Sequence, residues 1–132
     1  MPRVAFTLAN VGVYSFSSST VKPTAHYEFD LTEFRDPMNK DLFNGATDGR
    51  DILVQNWVKD DHRFKSLLAE CELLAHDQKV NHGGRWLTLA FRDFHGKWKS
   101  PAVAELVAER LSEAGYNVSV FHDALGGPMK VA

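Results

Sequence analysis

The stretch from Trp86 to Phe121 constrains the fold more than any other part of the chain. Trp86 to Phe91 is a compact apolar run, with Gly83-Gly84 before it and charge after it, as a buried strand requires. A helix follows directly. Ser100 suits the N-cap, Pro101 the first helical position, where a missing N–H costs nothing, and Gly115 the left-handed stop. Between them Val103, Leu106, Val107 and Leu111 recur on one helical face. Val118, Val120 and Phe121 then alternate with Asn117 and Ser119 in a further strand. A strand, helix, strand crossover of this kind is almost always right-handed, with its two strands parallel. The expected class is α/β, a small, mostly parallel sheet of about four strands with helices packed on it.

The rest of the chain reads the same way. Val4, Phe6 and Leu8 alternate with Ala5 and Thr7, and Val11, Val13 and Tyr14 extend the β-rich pattern to Phe16, as one bent strand or a hairpin. His26 to Leu31 reads as a short strand, and Asp36-Pro37 through Asn44-Gly45 to Asp48-Gly49 as an irregular loop. From Asp60 or Asp61 as N-cap, Phe64, Leu67, Leu68, Cys71, Leu74 and Ala75 recur at helical steps, and this helix should end near Asn81 to Gly84. A shorter helix precedes it around Ile52 to Val58, with Trp57 facing inward. With no internal repeat and no heptad run, residues 1–132 are expected to form a single domain.

Composition excludes several classes of function. A chain of 132 residues with 44% hydrophobic content can build a core without disulfides or metal. Cys71, the only cysteine, has no internal bridging partner, which fits a reducing compartment. The N-terminus mixes Thr7, Asn10 and Tyr14 into what a signal peptide would keep apolar, and no apolar stretch approaches the ~20 residues that span a bilayer. A cytoplasmic location and no membrane partner are expected. The net charge of -2 means that any binding of nucleic acid must come from a local patch. His26, His62, His76, His82, His95 and His122 show no paired ligand spacing, so neither a metal nor another cofactor is expected.

In open α/β sheets ligands bind outside the carboxyl ends of the strands, where helix N-termini point toward them. With the four strands parallel, those ends carry Ser15 and Ser17, then Asp30 and Thr32, then Arg92 to Ser100, then His122 and Asp123. In the third loop Arg92, Lys97 and Lys99 bring positive charge, His95 a titratable donor, Gly96 room for backbone approach and Ser100 a hydroxyl beside unpaired helix N–H groups. Together they suit a phosphate. The Walker A spacing is absent, which argues against nucleoside triphosphate hydrolysis. The same residues also read as a solvated loop face with Ser100 only a cap. Trp98 suits stacking on a base or sugar, or folding back onto the domain. Asp30 reads as a ligand contact and Asp36 as a turn former, while Cys71 on the apolar helix face reads as packing.

The order Ser15-Phe16, Phe29-Asp30 with Phe34-Arg35-Asp36-Pro37, Thr88 to Ser100 leading into Ala102-Val103-Ala104-Glu105, then Val118-Ser119-Val120-Phe121-His122 resembles the C-terminal domain of the RNase adapter protein RapZ family. The likeness spans residues 11 to 125. It implies a fold with strand-end loops that bind an aminosugar phosphate, in a domain that also contacts a small regulatory RNA. Against the family's C-T-G-G-x-H-R-S loop, this chain reads Asp93-Phe94-His95-Gly96-Lys97-Trp98-Lys99-Ser100. Leu31-Thr32 stands where the family carries an arginine after its F-D pair, and His122 is followed by Asp123-Ala124 instead of Arg-Asp. The chain is expected to be a free-standing version of this module without a nucleotide-binding domain before it, a form that fits a bacteriophage or mobile element.

The leading expectation is a non-catalytic module holding a phosphorylated small molecule, a sugar phosphate or nucleotide, at Arg92, His95, Gly96, Lys97, Lys99 and Ser100. Ser15, Asp30 and His122 would meet hydroxyls or amines, with Trp98 for stacking. The alternatives are an RNA-binding adapter using the same basic loop, and a protein interaction factor whose ligand site has degenerated. An enzyme is the least favoured class, because no nucleophile, base and orienting group can be assembled from the sequence.

Overall fold

The computed structural model describes residues 10–18, 23–34, 48–83, 86–125 and 130–131. Among the described residues five strands form one sheet: β1 (Asn10–Ser17), β2 (Tyr27–Asp30), β3 (Leu87–Asp93), β4 (Asn117–His122) and β5 (Lys130–Val131), in the order β2-β3-β1-β4-β5. β2, β3, β1 and β4 are mutually parallel, and β5 adds an antiparallel edge to β4. The helices are α1 (Ile52–Lys59), α2 (His62–Asn81) and α3 (Lys99–Glu113). The expected strand, helix, strand unit is present as β3, α3 and β4, with β1 between the two strands.

Strand alternation sends Val11 and Val13 of β1, Leu87, Leu89 and Phe91 of β3, and Val118 and Val120 of β4 toward one face. There they form a core with Val103, Val107 and Leu111 of α3, and α1 and α2 pack in turn against α3. On α2 the predicted stripe is buried at Phe64, Leu67, Cys71 and Ala75, and Asp61 caps the helix by accepting the Arg63 N–H at 2.9 Å. Cys71 is fully buried; burial, with Glu70 and Glu72 nearby, pushes its thiol up to about 12, which suits packing and not nucleophilic chemistry.

Residues 10–17 form a single strand, in which each residue from Val11 to Ser17 finds a partner on β3. Two local expectations change. β3 continues past Phe91 to Asp93, since Phe16 and Ser17 pair with Arg92 and Asp93; these two residues therefore belong to the strand and not to the loop. α3 starts at Lys99, so Ser100 is inside the helix and is not its N-cap; Trp98 holds that position without a side-chain cap bond. Val4 to Leu8, Asp36-Pro37 and Asn44-Gly45 lie outside the described residues. No described helix is long and apolar enough to cross a membrane.

Candidate ligand-binding site

The parallel register sets one end of the sheet. Ser15 lies beside His122, Ser17 beside Asp93, and Asp30 beside Arg92, so the predicted strand-end residues do gather at the carboxyl edge. Alternation then divides them. Ser15 and His122 share the helix-covered face with Val13 and Val120, whereas Arg92 and Asp30 point to the opposite face.

On the helix side, the Ser15 hydroxyl oxygen lies 2.6 Å from Nδ1 of His122, and His122 Nε2 lies 2.6 Å from a carboxylate oxygen of Glu105 on α3. A carboxylate only accepts, so a neutral His122 donates its Nε2–H to Glu105 and accepts a hydrogen bond from the Ser15 hydroxyl on Nδ1. Ser15 is fully buried and His122 nearly so. A serine, histidine and carboxylate series is thus assembled by the fold, with its hydroxyl buried.

The segment 48–51 lies close enough to this series for its charges to be felt. The Asp48 carboxylate accepts from the Arg50 backbone N–H at 2.8 Å and from its guanidinium at 3.0 and 2.7 Å. Burial pushes the Asp48 carboxyl up, but the bonds and charge of Arg50, helped by His122, outweigh it and hold the group below its ordinary 3.8. Arg50 is pushed up chiefly by its bonds to Asp48, against a smaller loss from burial, with Glu105 contributing. Gly49 donates its N–H to Lys97 O at 2.8 Å, which fastens this segment to the loop after β3, and Gln55 Nε2 donates to Gly49 O and Arg50 O at 3.3 and 3.1 Å.

Because Asp48 has a depressed folded-state pKa, it contributes stability that is complete above its unfolded value near 3.8 and is lost as pH falls through the folded value. Acid unfolding of Asp48→Asn should therefore show a flatter stability loss in that window than the wild type, a difference read from melting temperatures followed downward from neutral pH.

Each basic group of the predicted loop has a specific setting. Arg92 Nη2 donates to Asp30 at 2.8 Å, and its Nε lies 3.6 Å from Glu28. Asp30 also accepts the Thr32 N–H at 3.0 Å, the largest influence lowering its pKa. Lys99 is buried and donates Nζ to Phe34 O at 3.0 Å. Lys97 stays exposed, its ammonium 4.9 Å from the Trp98 ring centre. Trp98 is partly buried and packs on the core, so the fold-back alternative describes it better than an open stacking face. His95 is exposed, its ring edge-on to Phe94 at 4.8 Å. Gly96 has φ 69, and a Cβ there would lie 2.7 Å from Ala124 Cβ and 2.9 Å from Ser17 N, which explains a glycine at this contact. Ser17 Oγ donates to Phe94 O at 2.9 Å and closes the loop against β1.

Sequence reasoning missed Glu105, Asp48, Arg50, Gln55 and the role of Asp93. Asp48-Gly49 was legible only as a turn, and Glu105 only as one of several polar residues on α3. No cluster of metal-ligating side chains occurs among the described residues.

The sequence profile of the RapZ C-terminal domain matches residues 9–126. A protein of Cereibacter sphaeroides named as a nucleotide-binding protein is 33% identical over 127 residues, covering 93% of this chain and 42% of the relative. A nucleotide-binding protein of Jannaschia sp. is 35% identical over 118 residues, 86% of this chain and 36% of the relative. The chain thus spans less than half the length of these relatives. The matched span includes all of β1 to β4 and the strand-end loops between them that are described here, and the chain belongs to the RapZ C-terminal domain family.

Proposed function

We propose that this chain is a non-catalytic binding module that holds a phosphorylated small molecule, a sugar phosphate or a nucleotide, at the carboxyl ends of β1, β3 and β4. The observation that carries the reading is the convergence there of a bonded polar series, Ser15, His122 and Glu105, with the Asp48 to Arg50 segment and the loop 94–98. Such pre-organised polar groups at strand ends are what a small-ligand site needs. The buried Ser15 hydroxyl favours binding over covalent chemistry. The names of the relatives agree with a phosphorylated ligand.

In this reading Lys97, exposed beside the site, supplies positive charge to the phosphate, and His95 stands next to it. Lys99 serves the fold through Phe34 and is a poor probe of ligand contact. Isothermal titration against sugar phosphates and nucleotides should find a ligand whose affinity falls about tenfold in Lys97→Ala, with the melting temperature nearly unchanged, as expected for an exposed side chain. Equal affinity in both proteins would sink the assignment.

An RNA-binding reading has one observation in its favour: the Phe94 ring is 67% exposed, next to His95 and near Lys97, a combination that suits base stacking beside a cation. Absence of any gel retardation at low salt, where the phosphate contribution is greatest, removes it.

A further inference from the structure

The place where a phosphate is expected at the head of α3 already holds an anionic group. Asp93, the last residue of β3, is 3% exposed. One of its carboxylate oxygens accepts the Gly96 N–H, and the other accepts the Ser100 N–H at 2.9 Å. These N–H groups lie in the turn before α3 and in its first turn, where an anion is favoured by the unpaired amides and the helix dipole. The Ser100 hydroxyl is a second, independent mark of the same position. It is fully buried and has no hydrogen-bond partner among the described residues. Covalent geometry keeps it within about 3 to 4 Å of its own N–H, the group whose hydrogen bond Asp93 accepts.

We propose that Asp93 determines the ligand specificity of this site by filling its anion seat with a tethered carboxylate. The seat consists of the Gly96 N–H, the Ser100 N–H and the Ser100 hydroxyl. A phosphate carries more acceptor oxygens than a carboxylate and can extend to the Ser100 hydroxyl, which Asp93 does not bond. While Asp93 is in place, inorganic phosphate and the phosphate of a phosphomonoester are excluded from these donors by occupancy and by charge repulsion. A phosphorylated ligand must then present its anion farther out, toward Lys97, or be recognised through its uncharged part. The inference rests on the reading of this edge as a ligand site but concerns a different contact.

The test uses inorganic phosphate as probe, with 31P NMR titration and melting temperature as readouts, on wild type, Asp93→Ser and Asp93→Asn. Asp93→Ser removes the carboxylate and leaves the seat open. It should bind phosphate at least about tenfold more tightly than wild type and gain melting temperature on phosphate addition. Asp93→Asn retains an acceptor but not the charge, and should fall between them. Adding Ser100→Ala to Asp93→Ser should remove part of the gain. If the variants are poorly folded, phosphate should restore folding to Asp93→Ser. A folded Asp93→Ser with wild-type phosphate affinity, or an unfolded one that phosphate does not rescue, overturns the proposal. A wild type that binds no phosphorylated compound would count against the proposed function and leave this comparison intact.

Discussion

Gly49→Ala should unfold or severely loosen the strand-end site, with a stability loss of at least about 3 kcal/mol in chemical denaturation. A Cβ at this position would run into the Trp98 carbonyl oxygen and lie 2.6 Å from the Ala102 backbone N and 2.9 Å from Pro101 Cβ. Two of these neighbours are backbone atoms at the head of α3, so relief requires moving the segment 48–51 away from the helix. That movement breaks the Gly49 N–H bond to Lys97 O and withdraws Gln55 from its two carbonyls. It also carries Asp48 and Arg50 away from His122 and Glu105, so ligand affinity should fall with stability. A Gly49→Ala protein of wild-type stability would mean that this close approach is not maintained in solution.

Phe91→Ala should cost about 3–5 kcal/mol, the usual range for removing a buried aromatic ring. Phe91 is fully buried on β3 and stacks on Phe29 of β2 with ring centres 5.2 Å apart, tilted by 18°. Its loss leaves a cavity beneath the helices and removes the ring stack between β3 and β2. The carboxyl edge should be affected as well, because Asp30 and Arg92 are brought together by that same pairing. A urea denaturation midpoint close to that of wild type, with an unchanged slope, would contradict this account of the core.

The architecture was legible because its signals are local. Period-two alternation in β4, the apolar run of β3, the helical stripe of α2 and the glycine after α3 each lie within a few consecutive residues, and the short crossover from β3 to β4 leaves little choice but parallel strands. From parallel strands it follows that Ser15, Asp30, Arg92 and His122 share an edge, and they do. Their common edge needed only that rule, whereas the pairing of Ser15 with His122 and of Asp30 with Arg92, and the division between two faces, depends on strand order and register.

The chemistry of the edge was not legible, because it depends on which distant partner reaches each group. Lys97 and Lys99 look equivalent in sequence, yet one is exposed and the other is buried against the carbonyl of Phe34, 65 residues away. Glu105 becomes a partner of His122 only because α3 crosses over β1. Asp93 reads as a loop residue in the sequence until two further register pairs extend β3 and aim its carboxylate at the head of α3. Backbone propensities are short-range and survive in a linear string; burial, charge pairing and the filling of an anion seat are set by contacts that exist only after the sheet has formed.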